Sequence, residues 1–157
     1  GCVFADPITQ DDTVYLHKPL TLKDITKGTV SVRIRKQSGK NILTLKKQLE
    51  NGLDKLEREI VFDNPEQAVD MLEILDLHEV SHLNKIRQKC RFNDLEVCLD
   101  QVEGLGTFIE VEKITDDEEA EKVQEELFKF LETLGVKRED RVTSGYDTLV
   151  YHKGRNL

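Results

Sequence analysis

Three pairs of charged residues stand two apart, the spacing that puts side chains on one face of a β-strand: Arg33 and Arg35, Lys85 and Arg87, Glu110 and Glu112. Crowded bases are untenable away from water unless an anion or facing acids balance them. A polyphosphate meets that need, because guanidinium groups grip its oxygens in pairs and lysines supply point charge. The two glutamates offer oxygen ligands of the kind that Mg²⁺ or Mn²⁺ takes, leaving other positions to water and substrate phosphate. Glu-Val-Glu also occurs on solvated strands, so the pair means little until its surroundings are known.

Some of those surroundings follow from strand arithmetic. With Asn93-Asp94 as a hairpin turn, Phe92 faces Leu95, Arg91 faces Glu96, Lys89 faces Cys98 and Arg87 faces Asp100. These charged residues share a face with Lys85, and the other face carries Ile86, Cys90, Phe92, Leu95, Val97 and Leu99. Cys90 and Cys98 then point to opposite faces and cannot bond to each other. Thr44 and Lys46 also share a face. A sheet with one charged surface most simply turns it to water. The sorting of signs, with bases on two strands and acids on a third, argues instead for a charged face curled inward as a polar tunnel.

The elements that must position these residues are legible from period and punctuation. Strands are expected at Thr13–Leu16, Thr29–Lys36, Ile42–Lys47, Glu57–Phe62, Leu83–Phe92, Leu95–Asp100 and Thr107–Lys113, with a hairpin turn within 37–41. A helix over Thr115–Leu134 is signalled by a Thr115/Glu118 capping box, a stripe of Ala120, Val123, Leu127, Leu131 and Leu134, and Gly135 at its end. A shorter helix from Asn64 to about Asp76 has a capping Asn64, Pro65 at its first position, and Val69, Leu72 and Leu75 as its buried stripe. Many strands with few helical crossovers indicate an antiparallel α+β fold. A chain of 157 residues without repeats reads as one domain.

Bulk properties narrow the function. A net charge of −8 argues against a coat on nucleic acid or an anionic membrane, so neither is an expected partner. The charge is uneven: the first glutamate is Glu50, and the residues before it are rich in Arg and Lys. No apolar run approaches the ~20 residues that span a bilayer. Cys2, Cys90 and Cys98 form no CxxC pair and fit a reducing cytoplasm. His17, His78, His82 and His152 are scattered, without metal-ligand spacing. Gly104 and Gly106 read as a tight turn between strands.

The order of motifs resembles the CYTH superfamily of triphosphate tunnel metalloenzymes. The resemblance rests on Val32-Arg33-Ile34-Arg35, Thr44-Leu45-Lys46, Arg58-Glu59, Lys85-Ile86-Arg87, and above all the run from Asp100 through Gly104-Leu105-Gly106 and Phe108 to Glu110-Val111-Glu112. Val102-Glu103-Gly104-Leu105-Gly106 is most similar to the class IV adenylyl cyclase branch, and Ser144-Gly145-Tyr146 matches a Ser-x-Tyr step. The resemblance implies a closed or nearly closed antiparallel β-tunnel with flanking helices. It implies phosphate binding by Arg33, Arg35, Lys46, Lys85 and Arg87, Mg²⁺ or Mn²⁺ at Glu110 and Glu112, and a catalytic part for Asp100, Lys85 and Arg87, with Asp100 orienting Arg87 or handling a proton. The implied activity is conversion of ATP to cyclic AMP and pyrophosphate, with hydrolysis of inorganic or thiamine triphosphate and non-catalytic polyphosphate binding as alternatives. The family's opening Glu-x-Glu-x-Lys strand has no counterpart here, so 1–157 is expected to be a single CYTH-like domain, N-terminally incomplete. A sheet short of one strand is expected either to pair with a second copy as a homodimer or to leave the tunnel open. Alanine at Arg35 or Arg87 is expected to weaken triphosphate binding while relieving repulsion and leaving the fold intact.

Overall fold

The computed structural model describes residues 2–50, 53–115 and 120–154. Alternation of polar and apolar side chains yields seven strands: β1 (Ile8–His17), β2 (Val30–Gln37), β3 (Lys40–Gln48), β4 (Lys55–Phe62), β5 (Leu77–Phe92), β6 (Leu95–Val102) and β7 (Gly106–Glu112). Helix α1 (Pro65–Ile74) joins β4 to β5, and α2 (Ala120–Thr133) and α3 (Tyr146–Gly154) follow β7. The strands form one sheet in the order β4-β3-β2-β1-β5-β6-β7, and every neighbouring pair is antiparallel. The outer strands β4 and β7 are not hydrogen-bonded to each other, so the tunnel wall is not closed by its backbone.

Local signals placed the hairpins. Ser38 and Gly39 both adopt positive φ and close the β2–β3 turn at two residues, and Asn93 at φ 57° turns β5 into β6. The β5–β6 register is the one expected from that turn, with Arg87 opposite Asp100 and Lys89 opposite Cys98. Both β1 and β5 run longer than their apolar alternation suggested. A bulge between Val14 and Tyr15 lets the two strands stay paired through a change of phase, which breaks the period on which sequence reading relies.

The apolar core lies on the outer face of the sheet, where α1 packs Leu72 against Tyr15, Val32, Ile34 and Leu77, with Leu43, Phe62, Ala68 and Val69 around them. Asn64 caps α1 by accepting the backbone N–H of Gln67. Leu75 is not part of the buried stripe: the helix ends at Ile74, and Leu75 is left 59% exposed at the cap. The concave face carries the charge, and along β5 from Ser81 to Arg87 it is the more buried one. Lys85 and Arg87 are each 5% exposed, whereas Ile86 between them, on the outer face, is 45% exposed. The inward curl of a twisted sheet, not hydropathy, decides which face meets water.

Three further features depart from the sequence reading. Helix α3 was not anticipated, since its nine residues carry no one-sided apolar stripe. Helix α2 is described from Ala120; Glu118 of the expected capping box lies outside the described residues. Cys2 and Cys90, read as unpaired, form a disulfide with Cα atoms 6.0 Å apart. Residues 2–7 continue β1 along β5, where Ala5 N–H donates to the Lys89 carbonyl at 2.8 Å. That contact brings Cys2 to Cys90, a proximity no local spacing encodes. Cys98 is free and buried, and its burial pushes the thiol up to about 12. Among the described residues, no helix is long and apolar enough to cross a membrane.

Candidate functional site

The concave face, α2 and the segment from 136 to 148 enclose a cavity of about 2120 Å³. Arg33, Arg35, Lys46, Lys85, Arg87, Glu110 and Glu112 all line it. Asp100 does not. It is fully buried beneath Arg87, at 0% exposure. No histidine lines the cavity among the described residues.

One charged cluster belongs to β5, β6 and β7. Arg87 grips Asp100 with two bonds, Nε to Oδ1 at 2.6 Å and Nη2 to Oδ2 at 2.5 Å, and also donates to Glu110. Lys85 Nζ lies 3.8 Å from Asp100 and 4.9 Å from the centre of the Tyr146 ring. The Tyr146 phenol hydrogen-bonds Asp100, and its ring rests on Phe108 with centroids 5.0 Å apart. Burial alone would raise the Asp100 carboxyl, but the bonds from Arg87 and the charges of Lys85 and Arg87 outweigh it and hold the group below the usual range. Burial, reinforced by the neighbouring Arg87, lowers Lys85 to about 8. Removal from water and the adjacent Glu110 push Glu112 up to about 7.

The second cluster belongs to β1 through β4. Arg35 holds Asp12 through Nε at 2.6 Å and Nη2 at 2.7 Å. Arg33 Nη2 donates to Thr44 at 2.9 Å and to Glu59 at 3.1 Å, while its buried Nε has no partner. Lys46 Nζ meets Glu57 at 2.8 Å. The tunnel's bases do repel one another, since Arg35 adds to burial in lowering Arg33 and Arg87 adds to burial in lowering Lys85, but facing acids offset that repulsion. Each of these cations has an acid beside it.

The acids Asp12 and Glu57 were not singled out in the sequence, and Glu59 appeared there only as part of a motif. The β2–β3 turn would have placed Arg33 opposite Thr44 by the same arithmetic as the β5–β6 turn, since the register bears that pairing out. Asp12 against Arg35 carries no such signal, because an irregular connection over 18–29 separates β1 from β2. Tyr146 was noted only as a motif match; its place above Lys85 depends on α3, which docks on β5 through the Ser81 hydroxyl and the Asp147 carbonyl.

Among the described residues no three His, Cys, Asp or Glu side chains converge to hold a metal ion. Glu110 and Glu112 fit a divalent cation as two oxygen ligands, with their neighbouring carboxylates crowded enough to raise one of them. Such a pair suits Mg²⁺ or Mn²⁺ when phosphate oxygens and water fill the remaining positions.

An antiparallel sheet curled around facing bases and acids, with its apolar core outside, defines an α+β tunnel whose interior is built for a multiply charged ligand. Residues 2–146 match the CYTH domain, and the chain belongs to that family. A Methanocaldococcus jannaschii protein named "putative adenylate cyclase" is 31% identical over 127 residues, which are 79% of this chain and 73% of that protein. A solved Pyrococcus horikoshii structure superimposes with a TM-score of 0.79 at 28% identity, covering 97% of this chain and 88% of that one. A Vibrio parahaemolyticus structure described as a "putative adenylate cyclase" aligns with a TM-score of 0.72 at 19% identity, over 95% of this chain and 83% of its own, a likeness of fold alone.

Proposed function

We propose that this chain binds ATP with a divalent cation in the tunnel and converts it to cyclic AMP and pyrophosphate, as a class IV adenylyl cyclase does. The observation that carries the reading is the meeting of Lys85, Arg87, Glu110 and Glu112 on one wall of a cavity whose other wall bears Arg33, Arg35 and Lys46. The name of the M. jannaschii relative points the same way. In this reaction the ribose 3′-hydroxyl gives up its proton to solvent as its oxygen attacks the α-phosphorus, the bond from the α-phosphorus to the bridging oxygen breaks, and pyrophosphate departs. A cation held by Glu110 and Glu112 would supply Lewis acidity to the attacking hydroxyl and offset phosphate charge.

The chain's own residues act around that step. Arg33, Arg35 and Lys46 bind phosphate oxygens from β2 and β3, competing with the acids that hold them in the empty tunnel. Lys85 and Arg87 meet the charge that builds on the leaving pyrophosphate. Asp100, buried under Arg87, fixes the plane of its guanidinium and serves as a positioning residue. Product analysis with ATP, tripolyphosphate and thiamine triphosphate, each with Mg²⁺ and Mn²⁺, is the test. Cyclic AMP from ATP is the expected result; orthophosphate without cyclic AMP would identify a phosphohydrolase instead, and binding without turnover a non-catalytic module.

The lowered Lys85 sets a pH dependence. A bound polyanion favours the charged ammonium, so binding takes up a proton wherever the empty protein has lost it, above about 8. Tripolyphosphate affinity should therefore fall as pH rises through 8, relative to a Lys85→Arg variant that stays charged. In the ligand-free protein the sign is opposite for folding. Between about 8 and the ordinary 10.5 the unfolded chain holds the proton that folded Lys85 has released, so this group's contribution to stability grows with pH. Parallel affinity curves for the two proteins from pH 7 to 9 would refute this account.

A further inference from the structure

We propose that a side chamber between α2 and the segment 136–143 receives the aromatic ring of the substrate, a nucleobase, and that Phe128 and Arg141 set a preference for nucleoside triphosphates over inorganic polyphosphate. The inference rests on the reading of the tunnel as a triphosphate site and assigns the part of the substrate that the charged walls leave unaddressed.

The chamber has a volume of about 310 Å³ and is lined by Leu53, Glu121, Gln124, Phe128, Arg141 and Thr143, with Glu125 at its side. Five of these, Leu53, Gln124, Phe128, Arg141 and Thr143, also line the main cavity, so the two spaces adjoin through shared side chains. Its volume lies at the bottom of the range of roughly 300–1,000 Å³ for small-molecule sites, which suits a ring system and not a whole nucleotide.

Its chemistry is the complement of the tunnel's. The Arg141 guanidinium lies 3.7 Å from the centre of the Phe128 ring, and together they present a flat, polarisable surface of the kind on which a base stacks. Gln124 supplies an amide, the group that pairs with the adjoining donor and acceptor on an adenine edge, and Thr143 supplies a hydroxyl. Inorganic polyphosphate has no apolar surface to gain from Leu53 or Phe128. The segment carrying Arg141 is pinned to α2 by Arg138, which donates to Glu125 and to Glu132 at 2.6 Å each. The stacking surface is thus held in place by bonds that involve neither Phe128 nor Arg141.

The test is calorimetric titration of the full chain with ATP and with tripolyphosphate, comparing the unaltered protein with Phe128→Ala and Arg141→Ala. Arg141 is exposed, so its replacement probes the chamber without emptying a core position. Each variant should bind ATP about tenfold more weakly, a typical loss for one stacking partner, and bind tripolyphosphate as before. Undiminished ATP binding, or equal losses for both ligands, would overturn the assignment of the chamber. Failure of the unaltered chain to bind tripolyphosphate would overturn the reading of the tunnel, and this inference with it.

Discussion

Replacement of Arg87 by alanine should destabilise the fold by about 3–5 kcal/mol in addition to weakening triphosphate binding, because it strands a buried carboxylate. Asp100 has no contact with water, and two of its bonds come from Arg87. With Arg87 gone, Lys85 at 3.8 Å and the Tyr146 phenol remain near it among the described residues, and Glu110 loses a cation as well. For a domain of this size the loss corresponds to a drop in Tm of roughly 6–20 °C. The linkage sign follows from the lowered Asp100. A carboxyl held below its ordinary value contributes stability that is present at neutral pH and lost as pH falls through the folded value. The unaltered protein should therefore lose stability in acid more steeply than the Arg87→Ala variant, whose Asp100 gains by taking up a proton. Melting curves taken from pH 7 down to about 2, below the ordinary carboxyl value, would check both statements. A variant that melts within a degree of its parent at pH 7 would restore the simpler view that the tunnel's bases repel one another. The ion pairs argue that loss of the paired acid's cation outweighs the repulsion relieved, and the same geometry holds for Arg35 and Asp12.

The second large effect concerns the Cys2–Cys90 disulfide. It closes a sequence separation of 88 residues, for which chain entropy in the unfolded state corresponds to about 4.6 kcal/mol. Reduction, or Cys2→Ser, should lower Tm by roughly 9–18 °C on the same scale. Tripolyphosphate affinity should change little, since Cys90 is on the outer face of β5 and the phosphate-facing Lys85 and Arg87 are on the inner one. The measurement is a pair of melts with and without reductant, with thiol titration to confirm reduction, and Cys98→Ser as a control that keeps the reductant sensitivity. Coincident melts for the oxidised and fully reduced chain would rule out the bond as a significant brace.

Much of this protein was decided within short stretches of chain. The Asn93-Asp94 turn sets the β5–β6 register by itself, because a two-residue hairpin leaves no freedom in which residues face each other. Arg87 against Asp100 was legible for that reason. Asn64 and Pro65 start α1 through a cap and a preset φ, which are equally local. The pairing of like-charged residues on one strand face needed only the period of two.

Other features waited on the tertiary structure. The sign of the sheet's curvature put Lys85 and Arg87 inside and Ile86 outside, against what hydropathy implies, because burial there is compensated by acids arriving from other strands. Asp12 reaches Arg35 across 23 residues, and Glu59 reaches Arg33 across 26. Tyr146 stacks on Phe108 and lies against Lys85 only after α3 docks, and Cys2 meets Cys90 only after residues 2–7 line up along β5. Each of these contacts joins segments whose separation is set by loops of irregular length. Their positions follow from the summed packing of the whole sheet and from no spacing in the chain.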